Sequence, residues 1–358
     1  MSTTPDGHRV IAAPARLSAP LGAPRQLLME HSDVHPRPGS VEEVFRRVRN
    51  QPILTPDHMP FKASAVLNPG VVSYGNEVLL LVRVEDRRGL SQIRVARSRN
   101  GVDHWRVDDR PLLEPDLPGY PLEEWGCEDA RVSQIGDNLW IIAYTASSSY
   151  GPTVALATTS DFVTVNRLGA VLSPLNKDAA VFPQQFGDQW IMLHRPVAGG
   201  QEHIWYVCAH NDLVHWSLPG VVIPERGGPW WDGLKIGVGA PPIRTDDGWL
   251  LIYHGVKEIA RALVYRLGLA LLDLEDPVKL IRRASEWVFA PELEFERHGL
   301  ASNVVYTCGV LEQGDEIWMY YGAADTCIGL AIAKKADLLG FVHERDFLHR
   351  IGRATGTT

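Results

Sequence analysis

The sequence predicts an all-β protein: a five-bladed β-propeller with a short N-terminal extension and helix. Two observations carry that expectation. The first is a repeat in which an apolar strand runs into a glycine-marked turn and a second strand. The turns read Tyr74-Gly75-Asn76-Glu77, Ile135-Gly136-Asp137-Asn138, Phe186-Gly187-Asp188-Gln189, Asp246-Asp247-Gly248-Trp249 and Gln313-Gly314-Asp315-Glu316. Their glycines lie 61, 51, 61 and 66 residues apart, the scale on which repeat architectures recur. Glycine beside Asn or Asp supplies the positive φ angles that tight hairpins need. The second observation is that strand patterns follow one another without intervening helical periodicity, which favours all-β over α/β. A two-sheet sandwich would not explain five in-phase copies, whereas radial repetition leaves only short, protected edges.

Each copy has the makings of four strands. An innermost strand precedes the turn: residues 65–72, 127–133, 178–183, 236–243 and 303–310. The second strand follows the turn, and a third, alternating strand covers 92–98, 154–159, 204–209, 268–272 and 328–333. Outer strands are announced by Asn/Asp turns at Ser98-Arg99-Asn100-Gly101, Ser160-Asp161-Phe162 and Asn211-Asp212-Leu213. Residues 1–50 read as a Pro- and Ala-containing arm and a short helix, 51–345 as the propeller, and 346–358 as a tail. Ser40-Val41-Glu42-Glu43 is a capping-box pattern that predicts a helix to about Arg49. Its apolar face (Val41, Val44, Phe45, Val48) has no assigned partner and is free to pack on a blade or on a second subunit, making a homo-oligomer.

Composition narrows the function classes. A net charge of −8 argues against nucleic acid or an anionic membrane as partner. No apolar run reaches the length of a membrane span, and the first twenty residues lack an apolar signal core. Cys127, Cys208, Cys308 and Cys327 form no CxxC pair or zinc-like spacing, so no metal is expected and a reducing, cytoplasmic setting is the default. His31 and His35 have i, i+4 spacing but fall in the Pro-rich arm. Gly237-Val238-Gly239 lacks the continuation of a dinucleotide fingerprint.

Two groups of residues could do chemistry. Trp125-Gly126-Cys127-Glu128-Asp129-Ala130-Arg131 sets two carboxylates and an arginine where an innermost strand begins. Most such strings are exposed turns with a surface ion pair; at a propeller mouth the same string offers an acid able to protonate a leaving oxygen. The other group is cationic. Lys177, Arg195, Lys235 and His254 each begin or end an inner strand of the third and fourth copies. Any one is ordinarily a solvated charge or a satisfied histidine. Four aimed at one mouth repel each other unless an anion sits among them, and inorganic phosphate is the simplest such ligand. Trp230-Trp231 fits a sugar-stacking platform and core packing between blades equally well.

Taken together, Asn68-Pro69-Gly70, Arg83 with Glu85-Asp86, Gly126-x-Glu128-Asp129-x-Arg131, Phe182-Pro183, Met192-x-His194-Arg195-Pro196, Lys235-Ile236-Gly237-x-Gly239-x-Pro241-Pro242, Tyr253-His254-Gly255 and Gly322-Ala323-Ala324-Asp325 form a pattern. It resembles glycoside hydrolase family 130, the β-mannoside phosphorylases and related hydrolases, over about residues 50–340. The resemblance implies that Asp129 is the general acid, acting through the 3-hydroxyl of the mannosyl unit. It implies that Asn68, Arg83 and Asp325 hold the sugar, and that Lys177, Arg195, Lys235 and His254 bind phosphate. The implied substrates are a β-mannosyl oligosaccharide and inorganic phosphate as co-substrate, with no cofactor, giving α-mannose 1-phosphate by inversion. Ala130 and Gly70 depart from the family's usual residues without removing a functional group. A hydrolase on the same scaffold, a furanosidase-type propeller with three carboxylates and a non-catalytic binding propeller are the competing expectations. The segments 197–202 and 256–265 match no pattern, which leaves the acceptor sugar open.

Overall fold

The computed structural model describes residues 44–346, apart from 198, 199, 201 and 211. After a two-residue strand β1 (Arg46–Arg47), the chain lays down five antiparallel meanders. The first is β2 (Ala63–Tyr74), β3 (Glu77–Asp86), β4 (Ser91–Ser98) and β5 (Arg106–Val107); the second is β6 (Gly126–Gly136), β7 (Leu139–Ser148), β8 (Gly151–Thr159) and β9 (Asn166–Ala170). One parallel bridge, Ser91 to Gly126, joins these two into an eight-stranded sheet. The third is β10 (Asn176–Val181), β11 (Gln189–Pro196), β12 (Ile204–His210) and β13 (Trp216–Ile223). In the fourth, β14 (Lys235–Val238) and β15 (Ile243–Thr245) share the edge of β16 (Gly248–Ile259), followed by β17 (Ala262–Leu272) and β18 (Leu280–Arg283). The short helix α1 (Glu294–Arg297) precedes the fifth, β19 (Val305–Gln313), β20 (Glu316–Ala323) and β21 (Cys327–Lys334), and α2 (Lys335–Glu344) follows it.

The fold is therefore all-β with several sheets, and none of them closes on itself among the described residues. The middle strands are apolar on both faces because each is packed on both sides. Along β3, Leu79 and Leu81 join the core shared with β6–β8, while Leu80 and Val82 join one shared with β20 and β21. Along β16, Leu251 and Tyr253 face β10–β12, while Leu250 and Ile252 face β19–β21. Ile141 and Ala143 of β7 pack on Val181 and Met192 of the third meander. A period-2 alternation that feeds two cores instead of one core and solvent explains the continuous apolar runs. Each meander shares a core with the next, and the fifth shares one with the first.

The expected helix before residue 50 is corrected. Ser40 to Glu43 lie outside the described residues, but Arg46 and Arg47 pair with Ile332 and Ala331 and so supply the fourth strand of the last sheet. Pairing with an open sheet edge outweighs the local capping signal, as tertiary context does for marginal helices. The apolar face also finds its partner in its own chain. Phe45 is buried edge-on against Phe289, with ring centres 6.0 Å apart. Arg47 donates through Nε and Nη2 to the Glu296 carboxylate of α1 at 2.8 and 2.9 Å. Among the described residues, no helix is long and apolar enough to cross a membrane.

Candidate active site

Three innermost strands break register at the same place. The pairing slips between Leu67 and Gly70, between Glu128 and Arg131, and between Lys177 and Ala180. Inside each slip stands an Asn or Asp in the left-handed region: Asn68 at φ 48°, Asp129 at 53° and Asp178 at 54°. Bulges of this kind re-aim a side chain, and Asn and Asp tolerate positive φ best among residues with a Cβ. All three side chains enter one cavity of about 860 Å³. Arg83, Lys177, Arg195, Lys235, His254 and Asp325 line it too, so every site residue expected from the sequence meets there. Asp325 stands at the turn between β20 and β21, again at positive φ (50°).

On one side of the cavity Asp129 is buried and held by two donors on a single oxygen. Asn68 Nδ2 donates to its Oδ1 at 3.0 Å, and Arg83 Nη1 reaches the same atom at 3.4 Å. Arg83 also pairs with Glu128 at 3.1 Å and donates to Ser91 Oγ at 2.9 Å. Asp325 lies near enough to feel both: burial raises its pKa, Asp129 raises it further, and Arg83 works against them.

The other side is less uniformly positive than the sequence suggests. Arg195 Nε lies 2.8 Å from Asp178 Oδ2, and Arg195 Nη1 lies 2.6 Å from Glu202 Oε2. Burial alone would push Asp178 up, but Arg195, Lys177, His254 and Arg131 hold its pKa far below the usual carboxylate range. His254 is buried, with Nε2 3.5 Å from Asp178. Its desolvation, reinforced by Arg195 and Arg131 and only partly opposed by Asp178, drives its pKa well below the ordinary value. The imidazole is therefore neutral near pH 7, a hydrogen-bonding group and not the cation read from the sequence. Lys235 also has a lowered pKa, from burial and from Arg195, and its Nζ sits 5.7 Å from the centre of the Tyr265 ring.

Sequence reasoning assigned no role to the residues that tie the two sides together. Arg131 is fully buried; it donates to the carbonyls of Asp129 (3.0 Å), Gly239 (2.7 Å) and Val238 (2.9 Å), fixing the bulge that presents Asp129. It also donates to Tyr306 Oη at 2.8 Å, and that hydroxyl donates to Asp178 Oδ1 at 2.7 Å. A signal for Asp178 exists in the sequence but is blurred. Asn68 and Asp129 each stand seven residues before their turn glycine, whereas Asp178 stands nine before Gly187. Trp231 turns out to be core: it is buried, stacks on Tyr253 at 5.7 Å and donates to the Ser285 carbonyl.

Gly237 and Gly322 are glycines on which the site closes tightly: a Cβ at Gly322 would run into Asn68, and one at Gly237 into the other half of the site. A Cβ at Gly237 would lie 2.4 Å from His254 Cε1 and 2.5 Å from Asp178 Oδ2. Both neighbours are buried and cannot retreat. Gly237→Ala is expected to part this pair and to lower kcat/KM by about tenfold or more, the scale of a small misplacement of catalytic groups. Steady-state kinetics beside a thermal melt would separate that loss from simple unfolding.

Comparison with known proteins agrees with this geometry. The sequence profile of glycoside hydrolase family 130, described as beta-1,4-mannooligosaccharide phosphorylase, matches residues 29–344. A beta-1,2-mannobiose phosphorylase of Thermoanaerobacter sp. is 36% identical over 81% of this chain and 97% of its own length. One from Listeria innocua is 32% identical over 82% and 97%. A beta-1,4-mannooligosaccharide phosphorylase of Ruminococcus albus is 30% identical over 86% and 93%. A solved Listeria innocua beta-1,2-mannobiose phosphorylase, in complex with beta-1,2-mannobiose, superposes with a TM-score of 0.77 at 29% identity, covering 84% of this chain and 99% of that one. The match spans nearly the whole of the described structure. The chain belongs to glycoside hydrolase family 130.

Proposed function

We propose that the protein is an inverting β-mannoside phosphorylase built on a five-bladed propeller. The blade count is supported by five meanders with a core between each neighbouring pair, the fifth with the first included. The observation that carries the function is that Asp129 and the set Lys177, Arg195, Lys235 and His254 share one cavity. An inverting glycosidase needs an acid on one face of the sugar and a nucleophile on the other. Phosphate is already anionic and needs no general base, so cations can stand where a hydrolase would place its second carboxylate.

In this reading Asn68, Arg83 and Asp325 orient the mannosyl unit. With both donors on Oδ1, protonated Asp129 keeps its proton on Oδ2. That proton passes to the mannosyl 3-hydroxyl, which gives its own to the glycosidic oxygen as the C1–O bond breaks. A phosphate oxygen bonds to C1 from the opposite face, and α-mannose 1-phosphate and the shortened sugar leave. The relatives at 32% to 36% identity are named for β-1,2-linked substrates, which favours that linkage. The four cysteines are free and buried, in keeping with a cytoplasmic enzyme. A hydrolase reading draws on Glu85 and Glu202, which also line the cavity, although each is paired with an arginine. The reverse reaction tests the proposal: α-mannose 1-phosphate offered to a panel of acceptor sugars is expected to release phosphate with mannose or a β-1,2-mannoside. Release with no acceptor in the panel above the rate with water alone would contradict it.

A further inference from the structure

Two of the three guanidinium nitrogens of Arg195 already face carboxylates. Its guanidinium is almost completely buried, with Nε on Asp178 (2.8 Å) and Nη1 on Glu202 (2.6 Å). The two carboxylates are not equally fixed. Asp178 is fully buried, accepts from Tyr306 Oη at 2.7 Å and is backed by Arg131 and His254. The Glu202 side chain is 22% exposed, and its carbonyl accepts the Ile236 N–H at 3.0 Å. Its backbone is thereby anchored to β14, while part of its side chain reaches solvent at the cavity.

We propose that Glu202 is an internal stand-in for phosphate: it occupies Arg195 in the free enzyme, and phosphate binds by displacing it. This rests on the phosphorylase reading and assigns a role in the segment 197–202 that the sequence left open. The charges support an exchange over simple addition. With His254 neutral, the cations Lys177, Arg195, Lys235 and Arg131 outnumber Asp178 and Glu202, and the Glu202 carboxylate lowers that positive surplus by one. An entering phosphate would meet the Glu202 carboxylate directly across Arg195. Once Glu202 swings away, the positive surplus grows by one, which favours an entering phosphate anion, and Arg195 Nη1 is released to donate to it. Exchanging one anion for another also spares the buried cations a period without a partner, which would be costly. Glu202 is thus an affinity-setting residue, and its effect on phosphate has a definite sign.

Titration calorimetry of inorganic phosphate into the full-length protein tests this, with Glu202→Gln and Glu202→Ala beside the wild type. Both variants are expected to bind phosphate about tenfold more tightly, the scale of one hydrogen bond to a charged group released from competition. The phosphate KM should fall in parallel while the mannoside KM stays near its wild-type value. A residue that merely orients Arg195 would give the opposite sign, so an unchanged or larger Kd in either variant overturns the proposal. Should the wild type release mannose equally fast without phosphate, and Glu202→Gln abolish that release, Glu202 is a hydrolytic base; the phosphorylase reading then fails and this inference with it.

Discussion

Asp129→Asn is expected to lower turnover by about 10²- to 10⁴-fold, the usual contribution of a general acid, while leaving the fold intact. The substitution suits the site for three reasons. Side-chain volume hardly changes, Asn accepts the positive φ of 53° that position 129 requires, and its amide oxygen can still receive Asn68 Nδ2 and Arg83 Nη1. What it loses is the transferable proton. Turnover near wild type, measured as α-mannose 1-phosphate formed with a β-mannoside and saturating phosphate, would remove Asp129 from the mechanism.

Lys235→Ala should raise the phosphate KM by about 10- to 100-fold with little change in the mannoside KM. That is the scale on which a hydrogen bond to a charged group contributes. Lys235 is a better test of the cation set than Arg195. Removing Arg195 would strip the fully buried Asp178 of its nearest countercharge, and breaking a buried pair typically costs about 3–5 kcal/mol of stability. A defect in Arg195→Ala would therefore confound folding with binding, whereas Lys235 is only half-buried and has no direct carboxylate partner at ion-pair distance among the described residues. A Lys235→Ala enzyme whose phosphate KM stays at the wild-type value would place the nucleophile elsewhere in the cavity.

Much of the architecture was legible in the sequence because strand alternation and turn chemistry are local. Gly75, Gly187 and Gly314 adopt φ of 61°, 64° and 64° at the turns they were expected to make, while Gly136 ends β6 without a positive φ. The helix near residue 45 was misread because its capping signal is local and the edge of β21 that captures Arg46 and Arg47 lies some 285 residues away, Arg46 facing Ile332. At the site, the groups that carry charge or a proton were readable, since they recur at strand ends and fit a family pattern. The groups that decide their state were not. That Glu202 closes on Arg195 is decided by the path of the β11–β12 connection, and that Tyr306 bridges Arg131 to Asp178 and that burial leaves His254 neutral are consequences of contacts between different meanders. No spacing along the chain encodes them.

The central claim is that phosphate, not water, attacks the anomeric carbon. NMR analysis of products from β-1,2-mannobiose, in phosphate buffer and in phosphate-free buffer of equal pH and ionic strength, tests it most directly. The account predicts α-mannose 1-phosphate as the first-formed product with phosphate present, with inversion at C1 as attack on the face opposite the acid would give, and almost no turnover without it. Free mannose appearing at equal rates in the two buffers would contradict the account and leave a hydrolase.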